Sequence, residues 1–442
     1  MLLVLVVITV TILFVLLVKF KLNPFVALIT ACVFLGLLSG MHPVAVAKSI
    51  VAGMGNLLGY IAIVVGFGTM MSKLMAESGA ADVIARRMIA FFGEEKVNWA
   101  IAGVAYIIGI SVIFQVGIVL LIPLLFTIAL RARVSMVFVV VPLIATLCSV
   151  QHFMPPHPAT MAMVNFLHSN LSKTILYGLC ISSITTIIAG PLYGKYLSKR
   201  ITKLPTSELV SKFCSTTVCE NTPSFGISVF TMLFPISLML SSELADLIFK
   251  KGTITYEMLK FLGDPSISLF VSLVLALYTF GFSRGFTKER INTLTTECLG
   301  PVAMILLVIG AGGSFGKILV DSGVAETVTA TATTMNIHPL LLAWIIASVL
   351  KITVGSGTVS MITTAGLVSP FITERAVTPE LMVMAIGAGG SGPSIVTDSG
   401  FWVVKEFFGL TMEETLKTWT VTTTIISFTG ISIVGLLSIL GF

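Results

Sequence analysis

The sequence predicts an all-α polytopic membrane protein: two inverted-topology repeats with discontinuous helices that break or fold back, making about 10–14 membrane segments in all. Three observations predict it. Of 442 residues, 56% are hydrophobic and only 10% charged, with a mean hydropathy of +1.05, whereas a soluble domain is about 25% charged. The apolar residues are gathered into continuous runs of at least the roughly 20 residues that carry a helix across a hydrocarbon core about 30 Å thick, not into the short alternating segments of a barrel. Motifs of the first half also recur in the second at a nearly constant spacing. The composition excludes soluble enzymes, nucleic-acid binders and disordered scaffolds, and it leaves no length for a large aqueous domain.

Taken in order, the apolar runs place spans at 2–18, 24–40, 57–75, 98–130, 134–168 and 174–194. The first lacks a basic leader and a small-residue cleavage site, and Lys19 and Lys21 follow it, so it reads as a retained span with an external N-terminus. Residues 195–223 are the one sustained polar stretch, with Lys195, Lys199, Arg200, Lys203 and Lys212. They are expected to form a cytoplasmic linker between an N-terminal repeat, 1–194, and a C-terminal repeat, 224–442. The second series of spans is 225–242, 265–283, 299–320, 339–371, 381–409 and 420–441.

The halves match in sequence. Gly66, Gly68, Lys73, Glu77, Gly79 and Asp82 correspond to Gly310, Gly312, Lys317, Asp321, Gly323 and Glu326, each offset by 244, as 310 − 66 or 323 − 79. Asn23-Pro24 and Asp264-Pro265 are offset by 241, and Trp99 and Trp344 by 245. Matched loops differ in charge: 76–97 holds Arg86, Arg87 and Lys96, while 321–338 has no Lys or Arg. The reverse bias separates loop 41–56, with Lys48 alone, from Arg284, Lys288 and Arg290. Opposite biases on matched loops are the expectation for inverted repeats, although Lys250, Lys251 and Lys260 fall on the external side of that scheme.

Two stretches in each half are too long for one span. Residues 98–130 would make roughly 50 Å of helix at 1.5 Å per residue, so a fold-back or break is expected near Gln115-Val-Gly117, and its counterpart near Gly355-Ser-Gly-Thr358. Pro155-Pro-His-Pro158 interrupts 134–168, and Gly387–Pro393 with Thr397-Asp-Ser399 interrupts 381–409. Proline removes a backbone donor and glycine permits close backbone approach, and polar backbone at membrane depth is tolerated only where it is buried in protein or lines a cavity. Paired breaks in two repeats point to a substrate site, here walled by 114–117, 151–160, 355–359 and 394–399.

Within those walls, Asp398 either caps a half-helix or exchanges a coupling proton. His157 either relays a proton and contacts substrate or bonds a freed carbonyl. Ser356 and Thr358 offer hydroxyls at a helix start that would attract a carboxylate, or serve close packing; Gln115, Thr160, Thr397 and Ser399 add groups able to bond a polyol. Lys351, alone in an apolar run, either meets the substrate carboxylate or snorkels to an interface. Lys73 with Glu77 and Lys317 with Asp321 are spaced as i,i+4 ion pairs.

The net charge of +6 is read as loop charge, not as an acidic partner. Cys32, Cys148, Cys180 and Cys298 lie in apolar segments, and Cys214 and Cys219 lack companions for a zinc set, so neither disulfide, metal nor cofactor is assigned. No His-Glu-x-x-His, Walker A or Gly-x-Ser-x-Gly motif points to an enzyme.

Pro155-Pro-His-Pro158, Gly355-Ser-Gly-Thr-Val359, Asp398 with Phe401-Trp402, Lys19-Phe-Lys21, Gly190-Pro191, Phe261-Leu-Gly-Asp-Pro265 and the tract Ile309–Gly323 together resemble the gluconate permease family over essentially the whole chain. The resemblance implies a bacterial inner-membrane secondary transporter importing gluconate or a related small hydroxy monocarboxylate by proton symport, with D-serine carriers as a branch. A D-serine or other hydroxy-acid carrier, coupled to protons or sodium, is the alternative. Membership of the wider ion transporter superfamily would imply paired re-entrant hairpins and a homodimer. The chain departs from the family pattern with Gln115 in place of Glu and Gln151 in place of His, His152 being displaced by one; Thr397-Asp-Ser399 is similar to the D-serine branch and Gly400-Phe-Trp402 to the gluconate branch.

Overall fold

The computed structural model describes residues 22–93, 96–110, 112–131, 133–204, 221–323, 338–369, 377–395 and 397–441, with scattered positions before residue 22. About half of the expected first span and most of the 195–223 linker, including Lys212, Cys214 and Cys219, lie outside the described residues. Every regular element among the described residues is helical. Among the described residues, seven helical stretches are long and apolar enough to cross a membrane, and Pro24–Leu38, Val97–Gly109, Pro339–Ile352 and Gly357–Val368 are shorter apolar helices.

The helix starts follow from local chemistry. Pro24, Pro43, Pro158, Pro265, Pro339 and Pro379 each stand in a first helical turn, where the missing N–H costs nothing and φ is already helical. Asn23 caps its helix through the Phe25 N–H at 2.9 Å, and Asp264 caps its own through Ser266 at 2.9 Å. The matched Asn-Pro and Asp-Pro dipeptides are therefore the same capping device in each half.

The stretches matched at offset 244 are also alike in structure. The Pro43–Glu77 and Gly300–Asp321 helices both end with a Ser cap and a left-handed glycine, Gly79 at φ 73° and Gly323 at φ 68°. Both carry the expected ion pair, Lys73–Glu77 and Lys317–Asp321, each at 2.7 Å. The two helices pack antiparallel: Ser49 donates to Asp321 at 2.6 Å, Ser314 donates to the Ile50 carbonyl at 2.8 Å, and Gly310 lies against Met54 and Leu58. Pro24–Leu38 packs on Gly300–Asp321, and its counterpart beginning at Pro265 packs on Pro43–Glu77.

Four elements differ from the sequence expectation. The span read as 57–75 begins at Pro43, because Ser49 and Ile50 find polar partners on the neighbouring helix and the segment gains by staying helical. The presumed loops at 76–97, 243–264 and 284–298 contain the helices Ala80–Phe92, Ile254–Gly263 and Lys288–Glu297. Each is short and carries charged or polar residues among its apolar ones, so no span-length apolar run announces it.

The long stretches break as expected. Val97–Gly109 is followed by Phe114–Arg131, Met136–Phe153 by Pro158–Phe166, Pro339–Val354 by Gly357–Val368, and Pro379–Gly390 by Ser399–Phe407. The first break lies at 110–113, just before Gln115-Val-Gly117 rather than within it. Met136–Phe153 and Pro379–Gly390 are almost wholly buried and form the centre of the molecule.

Candidate substrate site

Glycines and one side-chain bond bring the four breaks together. Gly355 takes φ 78°, and a Cβ there would stand 2.0 Å from the Thr397 carbonyl oxygen, so glycine answers both the left-handed conformation and the contact. A Cβ on Gly357 would stand 2.4 Å from His152 Nε2, and one on Gly387 2.5 Å from the His152 carbonyl oxygen. The Phe114 N–H donates to Gln151 Oε1 at 2.8 Å, which ties the first break to the end of the Met136–Phe153 helix.

At this convergence Lys351 and Asp398 form a buried ion pair. Lys351 Nζ donates to Asp398 Oδ2 at 2.7 Å and to the Gly355 carbonyl at 3.2 Å, and the two side chains are 5% and 9% exposed. Lys351 does not snorkel to an interface; its ammonium is held at the break that ends its own helix. Asp398 caps the Ser399–Phe407 helix through the Gly400 N–H at 2.9 Å, and its Oδ2 also accepts from the Ser394 hydroxyl. Capping and ion pairing, posed as alternatives by the sequence, coexist on one carboxylate.

The last membrane helix completes the arrangement. Its π-helical turn Leu416–Thr420 carries Trp419, whose Nε1–H donates to Ser394 Oγ at 2.7 Å. Thr420 donates to the Ser394 carbonyl at 2.5 Å, and the Ser394 N–H donates to Thr423 at 3.1 Å. Ser394, in the irregular stretch before Asp398, thus has both its backbone N–H and its carbonyl bonded by the last helix.

A cavity of about 80 Å³ opens on the pair, lined also by Phe114, Cys148, Gln151, His152, Ser356, Gly357, Thr358, Ser391, Trp419 and Thr423. His152 Nδ1 lies 2.8 Å from the Cys148 carbonyl. A carbonyl only accepts, so Nδ1 carries the hydrogen, and in the neutral ring Nε2 remains an acceptor. Ser356 caps the Gly357–Val368 helix through the Val359 N–H at 3.3 Å while facing the same cavity. The lining therefore offers one cation, one carboxylate and several neutral hydroxyl, amide and imidazole groups.

Among the residues expected from sequence, the cavity brings together Asp398, Ser356 and Thr358. Thr160 is buried behind it, its hydroxyl 3.4 Å from the Gln151 carbonyl and 3.5 Å from that of His152. Thr397 is exposed and donates to the Ile352 carbonyl at 2.8 Å. His157 lines a separate cavity of about 30 Å³ with Gly68, Thr69 and Ser72, and its Nε2–H donates to the Gly109 carbonyl at 2.7 Å. The side chains of Gln115 and Ser399 lie outside the described residues. His152 and Ser394 fall within the walls expected from sequence, and Ser391 within the Gly387–Pro393 break, although none of the three was given a role there; Trp419 and Thr423 fall outside every wall and break marked by the sequence.

Comparison with known proteins agrees with this architecture. The chain is 43% identical to a gluconate permease of Pseudomonas aeruginosa over 428 residues, covering 97% of this chain and 95% of the relative. It is 41% identical to the high-affinity gluconate transporter of Escherichia coli K12, covering 97% of each. It is 37% identical to the D-serine transporter DsdX of Escherichia coli O6:H1, covering 95% and 94%. In fold it is similar to MtrF of Neisseria gonorrhoeae, with a TM-score of 0.71 at 11% identity over 95% of this chain and 96% of that one. It is likewise similar to the YdaH transporter of Alcanivorax borkumensis, with a TM-score of 0.67 at 13% identity over 95% and 99%. The model of GntP family permeases matches residues 1–440, and this multi-pass membrane protein belongs to the GntP family.

Proposed function

We propose that this permease is a secondary transporter that imports a small hydroxy monocarboxylate of the sugar-acid class, gluconate or a close relative, across the bacterial inner membrane by proton symport. The observation that carries the reading is the buried Lys351–Asp398 pair facing a cavity rimmed by hydroxyl, amide and imidazole groups. Lys351 suits a carboxylate, the neutral rim suits a polyol, and Asp398 is the carboxylate there that can take up and release a proton. At about 80 Å³ the cavity holds two or three waters of about 30 Å³ each, so an aldonate enters only as the walls part.

Antiparallel packing of the matched helices supports inverted repeats, 1–194 and 224–442, rocking about the central site. A homodimer is part of the same proposal, on the strength of the family resemblance. Gln115, Thr160, Thr397, Ser399 and His157 remain candidate contacts in an opened form. One observation favours a second reading: opposite charges 2.7 Å apart also fit a zwitterion, so D-serine or another small hydroxy acid, coupled to protons or sodium, is the alternative.

The test is uptake into vesicles containing the purified protein, with gluconate, L-idonate and D-serine supplied under a pH gradient, a sodium gradient or neither. Accumulation of the aldonates under the pH gradient is expected. Accumulation of D-serine alone, or dependence on sodium, would overturn the leading reading.

A further inference from the structure

The charges at the Lys351–Asp398 pair constrain how loading must proceed. Lys351 is the only Lys or Arg, and Asp398 the only Asp or Glu, among the described residues that line the cavity. Facing Asp398 from other elements are Cys148 and His152 on the Met136–Phe153 helix, Lys351 on the Pro339–Val354 helix, and Trp419 and Thr423 on the last span. His152 already spends its Nδ1 hydrogen on the Cys148 carbonyl.

An incoming carboxylate finds its natural partner occupied. Lys351 has three N–H donors, of which one is on Asp398 and one on Gly355. Adding an anion while Asp398 stays ionised would leave two carboxylates against one ammonium in a closed site, and an uncompensated buried charge is strongly unfavourable. Protonated Asp398, by contrast, is fully bonded without Lys351. Its Oδ1 keeps the Gly400 N–H. Its new O–H can donate to Ser394 Oγ, a hydroxyl with two acceptor positions, one of which Trp419 fills, once the Ser394 hydrogen that now sits on Oδ2 rotates away. The Trp419–Ser394 arrangement serves either protonation state.

Resting on the transport reading above, we propose that the substrate carboxylate takes the place of Asp398 on Lys351, and that Asp398 yields it by taking up a proton. One proton then enters with each carboxylate, and no net charge crosses the membrane. The balance is closed: the empty site holds one ammonium and one carboxylate, and the loaded site holds one ammonium, one substrate carboxylate and a neutral carboxylic acid. Release of substrate to the inside returns the Asp398 proton to the inner water and restores the ion pair. A zwitterionic substrate carried by the same steps would move one positive charge per cycle.

The experiment uses the purified protein in sealed vesicles with gluconate as probe. Potassium and valinomycin set the membrane potential independently of pH. Accumulation is expected under a pH gradient, acid outside, at zero potential. An inside-negative potential at equal pH is expected to drive none, with no current above that of empty vesicles. In Asp398→Asn, the accumulation ratio should fall to one while exchange of labelled for unlabelled gluconate persists and loses its dependence on pH; in Lys351→Gln, both should be lost. Accumulation driven by potential alone, or a measurable current in wild type, overturns this inference and leaves the transport reading intact. So does loss of pH-driven accumulation in His152→Gln with its retention in Asp398→Asn. Failure of wild type to move gluconate under any gradient overturns the substrate reading and this inference with it. The wild-type measurements decide the charge balance even if a variant does not fold.

Discussion

Trp419 donates its indole N–H to the Ser394 hydroxyl at 2.7 Å, and Ser394 passes its own hydrogen to Asp398. The indole also packs on Phe114, ring centroids 5.0 Å apart. A residue in the last span thereby sets the orientation of a hydroxyl 25 positions earlier. Replacing Trp419 by Phe keeps an aromatic ring against Phe114 and removes only the donor. A hydrogen bond of this kind is worth about 0.5–1.5 kcal/mol, so the apparent substrate affinity is expected to weaken by roughly twofold to tenfold, with the protein still reaching the membrane. Unaltered uptake kinetics in Trp419→Phe would show that Ser394 needs no such anchor.

The ion pair makes a stability prediction separate from transport. Removing one member of a buried pair strands the other and costs about 3–5 kcal/mol, whereas replacing both by neutral groups is often close to neutral. Asn at 398 keeps an oxygen for the Gly400 N–H, and its amide can donate to Ser394. Lys351→Met alone is therefore expected to lower the thermal unfolding midpoint clearly, and Lys351→Met with Asp398→Asn to recover most of it. A double variant no more stable than the single one would mean that the two side chains are not energetically coupled.

The sequence revealed the architecture better than the site, for physical reasons. Span-length apolar runs and repeated motifs are statements about single stretches of chain, so the outline of the spans, the matched Asn-Pro and Asp-Pro dipeptides and the ion pairs at Lys73 and Lys317 could be read directly. The breaks at Pro155-Pro156 and Gly355 announced themselves through residues that cannot continue a helix. Trp419 and Thr423 carried no such mark, since they stand at the start of an ordinary apolar helix and matter only because Trp419, in its π-helical turn, and Thr423, in the α-helical turn after it, both meet Ser394. Lys351 was conspicuous, yet nothing local could say that its partner lay 47 residues on. His157 shows the converse. Its motif is distinctive, but the ring is bonded to the Gly109 carbonyl and faces a different cavity.

Gly355 tests whether the convergence of the breaks is needed. Alanine there would need a left-handed backbone, and its Cβ would collide with the Thr397 carbonyl 2.0 Å away. Such strain costs on the order of 1–3 kcal/mol, relieved by separating the 355 and 397 segments, which also draws Lys351 from Asp398. Gly355→Ala is expected to reduce uptake by at least about tenfold, the equivalent of 1.4 kcal/mol. Alanine at Gly59, where a Cβ meets nothing within 4 Å, serves as the control. Equal uptake by the two variants would separate the close approach at 355 from transport.

The last prediction concerns the orientation of the halves. The helix ending at Glu77 and the matched helix ending at Asp321 pack antiparallel, with Ser49 near the start of one bonded to Asp321 at the end of the other. If both cross the bilayer, their C-terminal ends emerge on opposite faces, as inverted repeats require. The loop charges agree, since Arg86, Arg87 and Lys96 follow the first helix, whereas 322–338 has no Lys or Arg after the second, and positive charge marks the cytoplasmic face. Single cysteines placed at Arg87 and at Ser322 in a background lacking the six native cysteines should then react from opposite sides in intact cells. A membrane-impermeant maleimide added outside should label position 322 and spare position 87, which should react only after permeabilisation. Labelling of both from the same side would place the two helix ends on one face of the membrane and refute the inverted arrangement.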